Sequence, residues 1–328
     1  MSVTTTATMR AAVQSSYGTP DVLSVAQVAQ PTIVDHEVLV RVHAAGLDRG
    51  TWHLMTGKPY ALRLVFGLRR PKNPVAGIDL FGTVVSVGAT VTRFSPGDEV
   101  YGIGRGSFAE YAAAREDKLA SKPATLTFEQ AAVVPVSALT ALQASDIGRI
   151  QPDQRVLITG ASGGVGTYAV QIAAALGAEV TGVASTSKLD LVRSLGADHV
   201  LDYTRDDFAD GEHRYDVVID IGGSPSLARL RRALTHTGTA VIVGGEGGGS
   251  LTGVGRQLRA VALSPFVRQR FAMFVATEKA AELERVTALI EAGHVMPSVD
   301  RPYPLDRVAE AMRRLDAGDA RGKIVITI

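Results

Sequence analysis

The chain has 328 residues, of which 46% are hydrophobic, and its formal net charge is +1. This is the composition of an ordinary globular protein that is long enough for two domains, and so small a net charge gives no field that would attract nucleic acid or an anionic membrane. The sequence contains no cysteine, which excludes disulfides, thiolate metal sites and a cysteine nucleophile.

The N-terminus lacks both the charged region and the apolar region of a secretory signal peptide. The most apolar late stretch, residues 260–276, contains Pro265, Arg268 and Arg270 and therefore cannot span a bilayer. We expect a soluble, cytoplasmic protein with neither a membrane nor a nucleic acid as its partner.

The pattern before about Leu119 is all-β. Short runs rich in β-forming residues lie at 37–42, 82–87 and 99–102, and clusters of turn-forming residues separate them. The stretch from Thr127 has the spacing of a capping box, which predicts the start of a helix.

Strand-like and helical segments alternate from Arg155 onward. Strand-like runs lie at 156–159, 179–184, 200–202, 216–220 and 240–244, and segments with helical spacing lie at 168–176, 188–195 and 227–234. This alternation predicts βαβ units and a doubly wound parallel sheet. A long amphipathic helix over 278–292, a helical segment near 305–315 and a strand at 323–328 end the chain.

The motif TGASGGVG, residues 159–166, connects the first of these strands to a helix. In such a turn Gly163 would let the backbone approach a pyrophosphate, Gly166 would allow close packing of helix on strand, and the helix N-terminus would face the phosphates. Ala161 occupies the first glycine position of the G-x-G-x-x-G pattern, so the motif alone also fits a plain tight turn. Together with the alternating units it predicts a dinucleotide site that includes Gly164 and Val165.

The end of the second strand indicates which dinucleotide is bound. An NAD site usually has an aspartate or glutamate there, bonded to the ribose 2′-hydroxyl. In this sequence Ala184 is followed by Ser185 and Lys188, whose hydroxyl and ammonium groups suit a 2′-phosphate. Ser185 and Ser187 could instead cap the next helix, which is compatible with phosphate binding. The sequence favours NADPH as the cofactor.

Several stretches together resemble the medium-chain dehydrogenase/reductase superfamily, and more narrowly its zinc-independent quinone oxidoreductase-like branch: RVLITGASGGVGTYAVQIAAALGAEVTGVAST, LVRSLGADHVLDY, YDVVID and ARGKIVITI. GIDLFGTVVSVGATVTRFSPGDEVYG resembles the GroES-like catalytic domain of that family. The resemblance implies an α/β fold with two domains. A discontinuous, β-rich GroES-like domain would comprise residues 1–138 and 277–328, and a Rossmann domain with a doubly wound parallel sheet would comprise residues 139–276. The resemblance also implies a homodimer paired through the Rossmann sheets.

The resemblance also assigns cofactor contacts to individual residues. Ser185 and Lys188 would bind the 2′-phosphate, Tyr203 would lie beside it, and Thr140 would contact the nicotinamide half. The backbone that would flank the nicotinamide is that of Gly244, Gly245, Phe274 and Val275.

Zinc-dependent members of the family carry a cysteine at the position of Leu47 and a histidine at that of Ile78. The four-cysteine structural lobe of those members is also missing here. His43 and His53 lack partners at zinc spacing, so packing or surface positions are favoured for both. We therefore expect no metal, and without a Lewis acid the oxidation of ordinary alcohols is not expected.

A substrate that accepts a hydride without a metal must itself be electrophilic, as quinones and α,β-unsaturated carbonyl compounds are. Asp48 is the candidate catalytic residue. Related reductases often have asparagine there, and an ionised aspartate can only accept hydrogen bonds. Asp48 would donate if protonated, or it would bind Arg49 or a backbone turn instead. Tyr60 is a second candidate, which either lines the substrate site or packs against neighbouring residues. Asp220, at the end of a predicted strand, either holds a loop or touches the cofactor.

The function that these observations favour is NADPH-dependent reduction of a small-molecule quinone or enone. Two alternatives stay open. An enoyl-thioester reductase would need room and cations for a phosphopantetheine arm, and some relatives of this type are non-catalytic NADPH-binding proteins.

Overall fold

The computed structural model describes residues 7–244, 253 and 255–328. The chain divides into two compact units: the first holds the chain up to Val136 together with 278–291 and 299–328, and the second holds 137–277 and 292–298. The domains expected from the sequence differ from these units at 137–138, 277 and 292–298, all of which the expectation places in the first domain. In the second unit the amide of Gln171 exchanges two hydrogen bonds with the backbone of Met296, at 3.0 and 2.7 Å.

The first unit begins with mainly β-structure. Its strands are β1 (Thr8–Val13), β2 (Ser24–Ala29), β3 (Glu37–Leu47), β4 (Asp79–Val87), β5 (Glu99–Ile103), β6 (Tyr111–Arg115) and β7 (Leu119–Ser121). Its helices here are α1 (Arg49–Thr56), α2 (Arg63–Phe66) and α3 (Phe128–Ala132).

The expectation of an all-β pattern before Leu119 is wrong at α1 and at the short helix α2. Asp48 caps the first turn of α1, and Gly57 ends it in the left-handed conformation, with φ of 61°. The capping box that predicts α3 is confirmed, because the backbone N–H of Gln130 donates to Thr127 and the Gln130 side chain accepts from the N–H of Thr127. Helix α4 (Pro135–Gly148) contains the point at which the first unit ends.

The second unit is built on one parallel sheet. Its strands are β8 (Arg155–Thr159), β9 (Glu179–Ala184), β10 (His199–Asp202), β11 (Tyr215–Asp220), β12 (Leu234–Ile242) and β13 (Arg270–Met273). The helices between them are α5 (Gly164–Ala175), α6 (Leu189–Ser194), α7 (Leu227–Ala233) and α8 (Gly255–Leu263). The strand order β10-β9-β8-β11-β12-β13 confirms the predicted doubly wound sheet. It reverses between β8 and β11, and ligands of such sheets bind at that point, beyond the carboxyl ends of the strands.

The last elements return to the first unit, apart from the stretch 292–298. They are α9 (Ala280–Glu291), β14 (Val299–Pro304), α10 (Val308–Asp316) and β15 (Lys323–Thr327). The larger sheet of this unit has the order β14-β15-β3-β4-β5-β7, with β6 paired to β3. Strand β15 lies between β14 and β3 and runs antiparallel to β3, so the last strand of the chain pairs with the first long strand of this sheet.

Each unit has its own apolar core. Val40, Leu80 and Ile324 are among the buried residues of the first, and Leu157 and Val218 are among those of the second. Among the described residues, no helix combines the length and the apolar character that crossing a membrane requires.

Candidate active site

The glycine-rich turn after β8 opens α5 at the carboxyl edge of the parallel sheet. Gly160 has φ of 67°, so the left-handed residue lies one position before Ala161. A Cβ on Gly166 would lie 2.1 Å from the carbonyl oxygen of Gly160, which rules out any side chain there. Gly163 has φ of −85°, and of the described atoms a Cβ on it would approach only the same oxygen, at 3.3 Å. The fold of the turn therefore requires Gly160 and Gly166, whereas a Cβ on Gly163 would need a shift of only a few tenths of an ångström.

The turn leads into the N-terminus of α5. Gly163 is the N-cap residue, and Gly164 and Val165 begin the first turn. The first N–H groups of a helix have no acceptor within it, and the helix dipole is positive at this end. An absent side chain beside such a helix end fits a pyrophosphate.

The loop after β9 carries the side chains expected of a 2′-phosphate site. Ser185 precedes a 3₁₀ helix, Thr186–Lys188, and within the described chain its side chain makes no capping hydrogen bond. The alternative in which Ser185 only caps the helix is thus not observed. The N–H of Lys188 donates to the carbonyl oxygen of Ser185 at 2.9 Å, so the loop turns back on itself. Ala184, which is buried, occupies the end of β9 where NAD sites have a carboxylate.

A carboxylate does contact this loop, and it comes from the next strand. Asp202 ends β10 opposite Ala184 in the parallel register and is buried. Thr186 donates its hydroxyl proton to Oδ2, and Thr204 donates to Oδ1 through both its N–H, at 3.0 Å, and its hydroxyl, at 2.7 Å. The bond from Thr186, followed by those from Thr204, lowers the pKa of Asp202. Asp202 therefore orders the loop as an ionised acceptor, a role that sequence reasoning missed.

Tyr203 comes directly after this carboxylate. Its N–H donates to the carbonyl oxygen of Ala184 at 3.2 Å, and its side chain is 62% exposed. The ends of β9 and β10 thus bring Ser185, Lys188 and Tyr203 to one edge of the sheet. Their contact with a cofactor stays a prediction.

Asp220, at the end of β11, is fully buried and bonded within the protein. Its Oδ2 lies 2.5 Å from Nη1 of Arg256 in α8, and its Oδ1 accepts the Thr159 hydroxyl at 3.0 Å. Burial raises the pKa of Asp220, and the charge of Arg256 opposes this shift. Arg256 also donates to the carbonyl oxygens of Pro225 and Gly244, at 3.1 and 3.3 Å. The sequence left two roles open for Asp220, holding a loop or touching the cofactor. These contacts show that it holds a loop.

Arg256 was not singled out in the sequence. A buried carboxylate needs either a cation or several hydrogen-bond donors, and this was the available signal. It does not choose among the several arginines that follow Asp220.

Gly244 lies just beyond β12 at the same edge. Its N–H donates to the carbonyl oxygen of Asp220 at 3.1 Å, and a Cβ on it would lie 2.2 Å from the carbonyl oxygen of Ile221. The close approach of the two strand ends therefore requires a glycine. Gly245, the next predicted residue, lies outside the described residues.

The other predicted nicotinamide contacts lie on two elements of the second unit. Phe274 and Val275 directly follow β13, and Val275 is 82% exposed. Thr140 lies on α4 and is buried. These placements leave their roles as predictions.

The predicted catalytic residues lie in the first unit. Asp48 is buried, and its Oδ1 accepts the Thr51 N–H at 2.8 Å as the N-cap of α1. Its Oδ2 has no hydrogen-bond partner in the part of the chain that the structure describes. Tyr60 is half-exposed, with the guanidinium of Arg63 4.7 Å from its ring centroid. Asp48 thus holds a backbone turn, as one alternative had it, and catalysis by Asp48 or Tyr60 stays a prediction.

A buried ion pair that the sequence did not predict lies near Asp48. Oδ2 of Asp79 is 3.3 Å from Nζ of Lys323, and both side chains are essentially inaccessible. The N–H of Val136 donates to Oδ1 of Asp79 at 2.9 Å. Burial raises the pKa of Asp79 to about 7, against the lowering effect of Lys323, while the charge of Asp48 adds to the rise.

The two positions that match zinc ligands in zinc-dependent members hold aliphatic side chains. Leu47 belongs to the apolar core of the first unit, and Ile78 likewise offers no ligand atom. His43 lies against Phe81, with ring centroids 5.7 Å apart, and Nδ1 of His53 is 2.7 Å from a backbone carbonyl oxygen. These residues do not fit a zinc site of the family type.

Comparison with known proteins gives the same combination of domains. A family model described as the alcohol dehydrogenase GroES-like domain matches residues 34–124, and one described as zinc-binding dehydrogenase matches residues 195–326.

Two curated plant proteins are similar over almost the whole chain. The 2-methylene-furan-3-one reductase of Solanum lycopersicum is 33% identical over 333 residues, which cover 97% of this chain and 79% of that protein. The chloroplastic NADPH-dependent alkenal/one oxidoreductase of Arabidopsis thaliana is 35% identical over 337 residues, with the same coverage of 97% and 79%.

Among solved structures, the quinone oxidoreductase from Coxiella burnetii aligns with a TM-score of 0.87 and 27% identity. The alignment covers 98% of this chain and 100% of that one. With a GroES-like unit, a Rossmann unit and relatives of this identity and coverage, the chain belongs to the medium-chain dehydrogenase/reductase superfamily.

Proposed function

We propose that this protein reduces quinones and α,β-unsaturated carbonyl compounds with NADPH and without zinc. The observation that carries the proposal is the aliphatic pair Leu47 and Ile78, because it removes the Lewis acid that would polarise an alcohol or a simple carbonyl. The names of the two plant relatives, an alkenal/one oxidoreductase and a furanone reductase, support the same class of acceptor.

The preference for NADPH is supported by the loop after β9. Ser185 and Lys188 offer a hydroxyl and an ammonium group, and the strand ends in Ala184 instead of a carboxylate. The nearby Asp202 accepts hydrogen bonds from Thr186 and Thr204, so its oxygens are engaged within the protein. The end of β9 therefore offers no carboxylate to a ribose 2′-hydroxyl, whereas the loop after it offers a cation to a 2′-phosphate.

The bound NADPH would supply a hydride, and the protein would orient the two reactants. Hydride transfer to a conjugated acceptor spreads the developing charge onto a distant oxygen, so that one hydrogen-bond donor and a proton from water or a side chain suffice. Asp48 is the candidate side chain, because its Oδ2 is buried and has no partner among the described residues. A saturated alkoxide would need stronger stabilisation than these groups provide.

A homodimer is part of the proposal. Strand β13 lies at the end of the sheet order, and an edge strand offers backbone groups for pairing with a second copy. Light scattering of the purified protein measures its mass directly, and a monomer would contradict this part.

The experiment that tests the function is a substrate panel that follows NADPH oxidation with quinones, enones and acyl thioesters. We expect the fastest turnover with quinones or enones. Faster reduction of acyl thioesters would favour an enoyl-thioester reductase, and NADPH binding without any turnover would favour a non-catalytic protein. The proposal would be refuted if the NADP⁺-dependent oxidation of an ordinary alcohol were faster than every quinone and enone reduction tried.

The proposal that catalysis needs no zinc is tested on the same protein preparation. Elemental analysis is expected to show no stoichiometric zinc, and treatment with a chelator is expected to leave turnover unchanged. Loss of turnover that zinc restores would contradict the assignment of Leu47 and Ile78.

A further inference from the structure

The connection between β3 and β4 has a charge very different from that of the whole chain. Residues 49–78 contain no aspartate or glutamate, and their cations are Arg49, Lys58, Arg63, Arg69, Arg70 and Lys72. The net charge of the chain is only +1, so acidic residues elsewhere balance a strongly basic segment. Net charge therefore gives no information about this surface.

The same segment exposes large apolar side chains next to one another. The exposed fractions are 74% for Leu64, 62% for Val65, 42% for Phe66 and 67% for Leu68. Single exposed apolar residues are common, but a contiguous group of this kind marks an interaction surface. We call residues 64–72 the basic-apolar turn.

Contacts at its base hold this turn in place. The guanidinium of Arg63 donates to the carbonyl oxygen of Gly57 at 2.9 Å and lies 4.5 Å from the ring centroid of Tyr17. The Tyr17 hydroxyl donates to the carbonyl oxygen of Gly67 at 2.6 Å. The N–H of Lys72 donates to the carbonyl oxygen of Phe66 at 2.7 Å and closes the turn. The apolar side chains thus project from a hydrogen-bonded loop.

Three cations directly follow these side chains in the sequence. Arg69, Arg70 and Lys72 are all exposed, and they follow Leu68 within the closed turn. An apolar group with arginine and lysine at its border is the composition of segments that bind at the headgroup level of a bilayer. Each such cation is attracted to a surface of anionic lipids.

We propose that the basic-apolar turn docks this protein on the surface of an anionic lipid bilayer. Leu64, Val65, Phe66 and Leu68 enter the boundary between headgroups and acyl chains, and the three cations contact lipid phosphates. The positive charge selects an anionic partner, and exposed apolar side chains with no polar group fit a bilayer better than they fit the surface of a folded acidic protein. This inference does not depend on the proposed reaction, and it replaces the expectation, drawn from the net charge, that no membrane is a partner.

The test is sedimentation of the full-length protein with vesicles of phosphatidylcholine, with and without phosphatidylglycerol. We expect the protein to sediment with the phosphatidylglycerol vesicles and to stay in solution with the neutral ones. Leu64→Glu/Phe66→Glu is expected to abolish sedimentation. Arg69→Gln/Arg70→Gln is expected to weaken it by about tenfold or more at low salt, and the difference should shrink as salt is added.

The matched control is Phe266→Glu. It changes an apolar side chain that is 85% exposed and lies in the second unit. This variant should bind the vesicles as the wild type does. Thermal melting verifies that each variant is folded, and Leu64→Ser/Phe66→Ser replaces the glutamate pair if that pair melts early. Absence of binding to anionic vesicles, or binding that these changes leave intact, overturns the proposal. So does a dimer that the Leu64 and Phe66 changes convert to a monomer, because the turn would then cover a second copy.

Discussion

The glycine turn of the second unit and the Asp79–Lys323 pair of the first are assembled over very different distances along the chain. The turn is complete between Gly160 and Gly166. The pair joins residues that lie 244 positions apart, and it forms because β15 and β4, which carry them, both pair with β3 in the larger sheet. A short motif carries its geometry with it, whereas a buried ion pair depends on the completed sheet. The expected effects of mutation differ accordingly.

The largest effect is expected from Gly166→Val, because its Cβ would lie 2.1 Å from the carbonyl oxygen of Gly160. Backbone on both sides of this contact leaves no room to relax, so we expect a protein that fails to fold or melts far below the wild type. Gly163→Val is the matched change. Its φ of −85° is allowed for valine, and its Cβ would lie 3.3 Å from the carbonyl oxygen of Gly160, a contact that a shift of a few tenths of an ångström relieves. We therefore expect a folded protein that has lost NADPH binding.

Circular dichroism and thermal melting with and without NADPH measure both variants. If Gly166→Val melted at the same temperature as the wild type, the packing role of Gly166 would be contradicted. A folded Gly163→Val protein with unchanged NADPH affinity would contradict the placement of the pyrophosphate.

The next effect is expected from Lys323→Met, which leaves Asp79 buried without its cation. Removing one partner of a buried pair costs about 3–5 kcal/mol, and here the cost should be greatest at alkaline pH. At acid pH Asp79 can take up a proton and become neutral, so the destabilisation should shrink. Denaturant unfolding at several pH values measures the free energy of unfolding, and Lys279→Met, at an exposed position, is the control. Equal losses in both variants would show that the pair contributes nothing.

The raised pKa of Asp79 predicts a pH dependence of the wild type. The pKa of Asp79 is 3.8 in the unfolded chain and about 7 in the folded protein. Between these two pH values the folded protein keeps a proton on Asp79 that the unfolded chain has released. The free energy of unfolding should therefore fall as the pH rises from about 4 to about 7, by about 1.4 kcal/mol for each unit of the pKa difference. Asp79→Asn should flatten this slope in part, since the pKa of Asp220 is raised by burial as well. An unchanged slope in Asp79→Asn would contradict the assignment.

The comparison also separates what the sequence predicts from what it does not. Strand β9 was predicted with its observed bounds, residues 179–184, because alternation and flanking turns are local signals. The capping box at Thr127 was predicted for the same reason. Helix α1 was missed in a region whose pattern is otherwise that of strands, although its caps, Asp48 and Gly57, are present in the sequence.

Two contacts that the sequence did not identify join separate parts of the chain. Asp202 was not singled out, because its partner Thr186 belongs to the loop after the neighbouring strand. Asp220 was noticed as a strand end, but its partner Arg256 lies on a helix that was not predicted. Register between strands decides which charged groups meet, and a single sequence does not contain that register.

A smaller effect is expected from Lys188→Ala, which acts within the loop after β9. Loss of a charged hydrogen bond to the 2′-phosphate should weaken NADPH binding by about 1–3 kcal/mol and leave NADH binding almost unchanged. Fluorescence titration with both cofactors measures this, and NADH serves as the internal control. Equal losses for the two cofactors, or a wild-type preference for NADH, would contradict the assignment.

The smallest effect on stability is expected from Asp48→Asn. Asparagine caps a helix about as well as aspartate, so α1 should keep its first turn and the free energy of unfolding should change by less than about 0.5 kcal/mol, whereas Asp48→Ala should cost about 1 kcal/mol. Because Asp48→Asn should leave stability almost unchanged, its effect on turnover separates the role of helix cap from that of proton donor. If Asp48 passes a proton to the substrate, turnover of Asp48→Asn falls and its pH profile flattens while the melting temperature stays the same. If turnover also stays the same, Asp48 is a cap alone, and the proton must come from water or from another side chain.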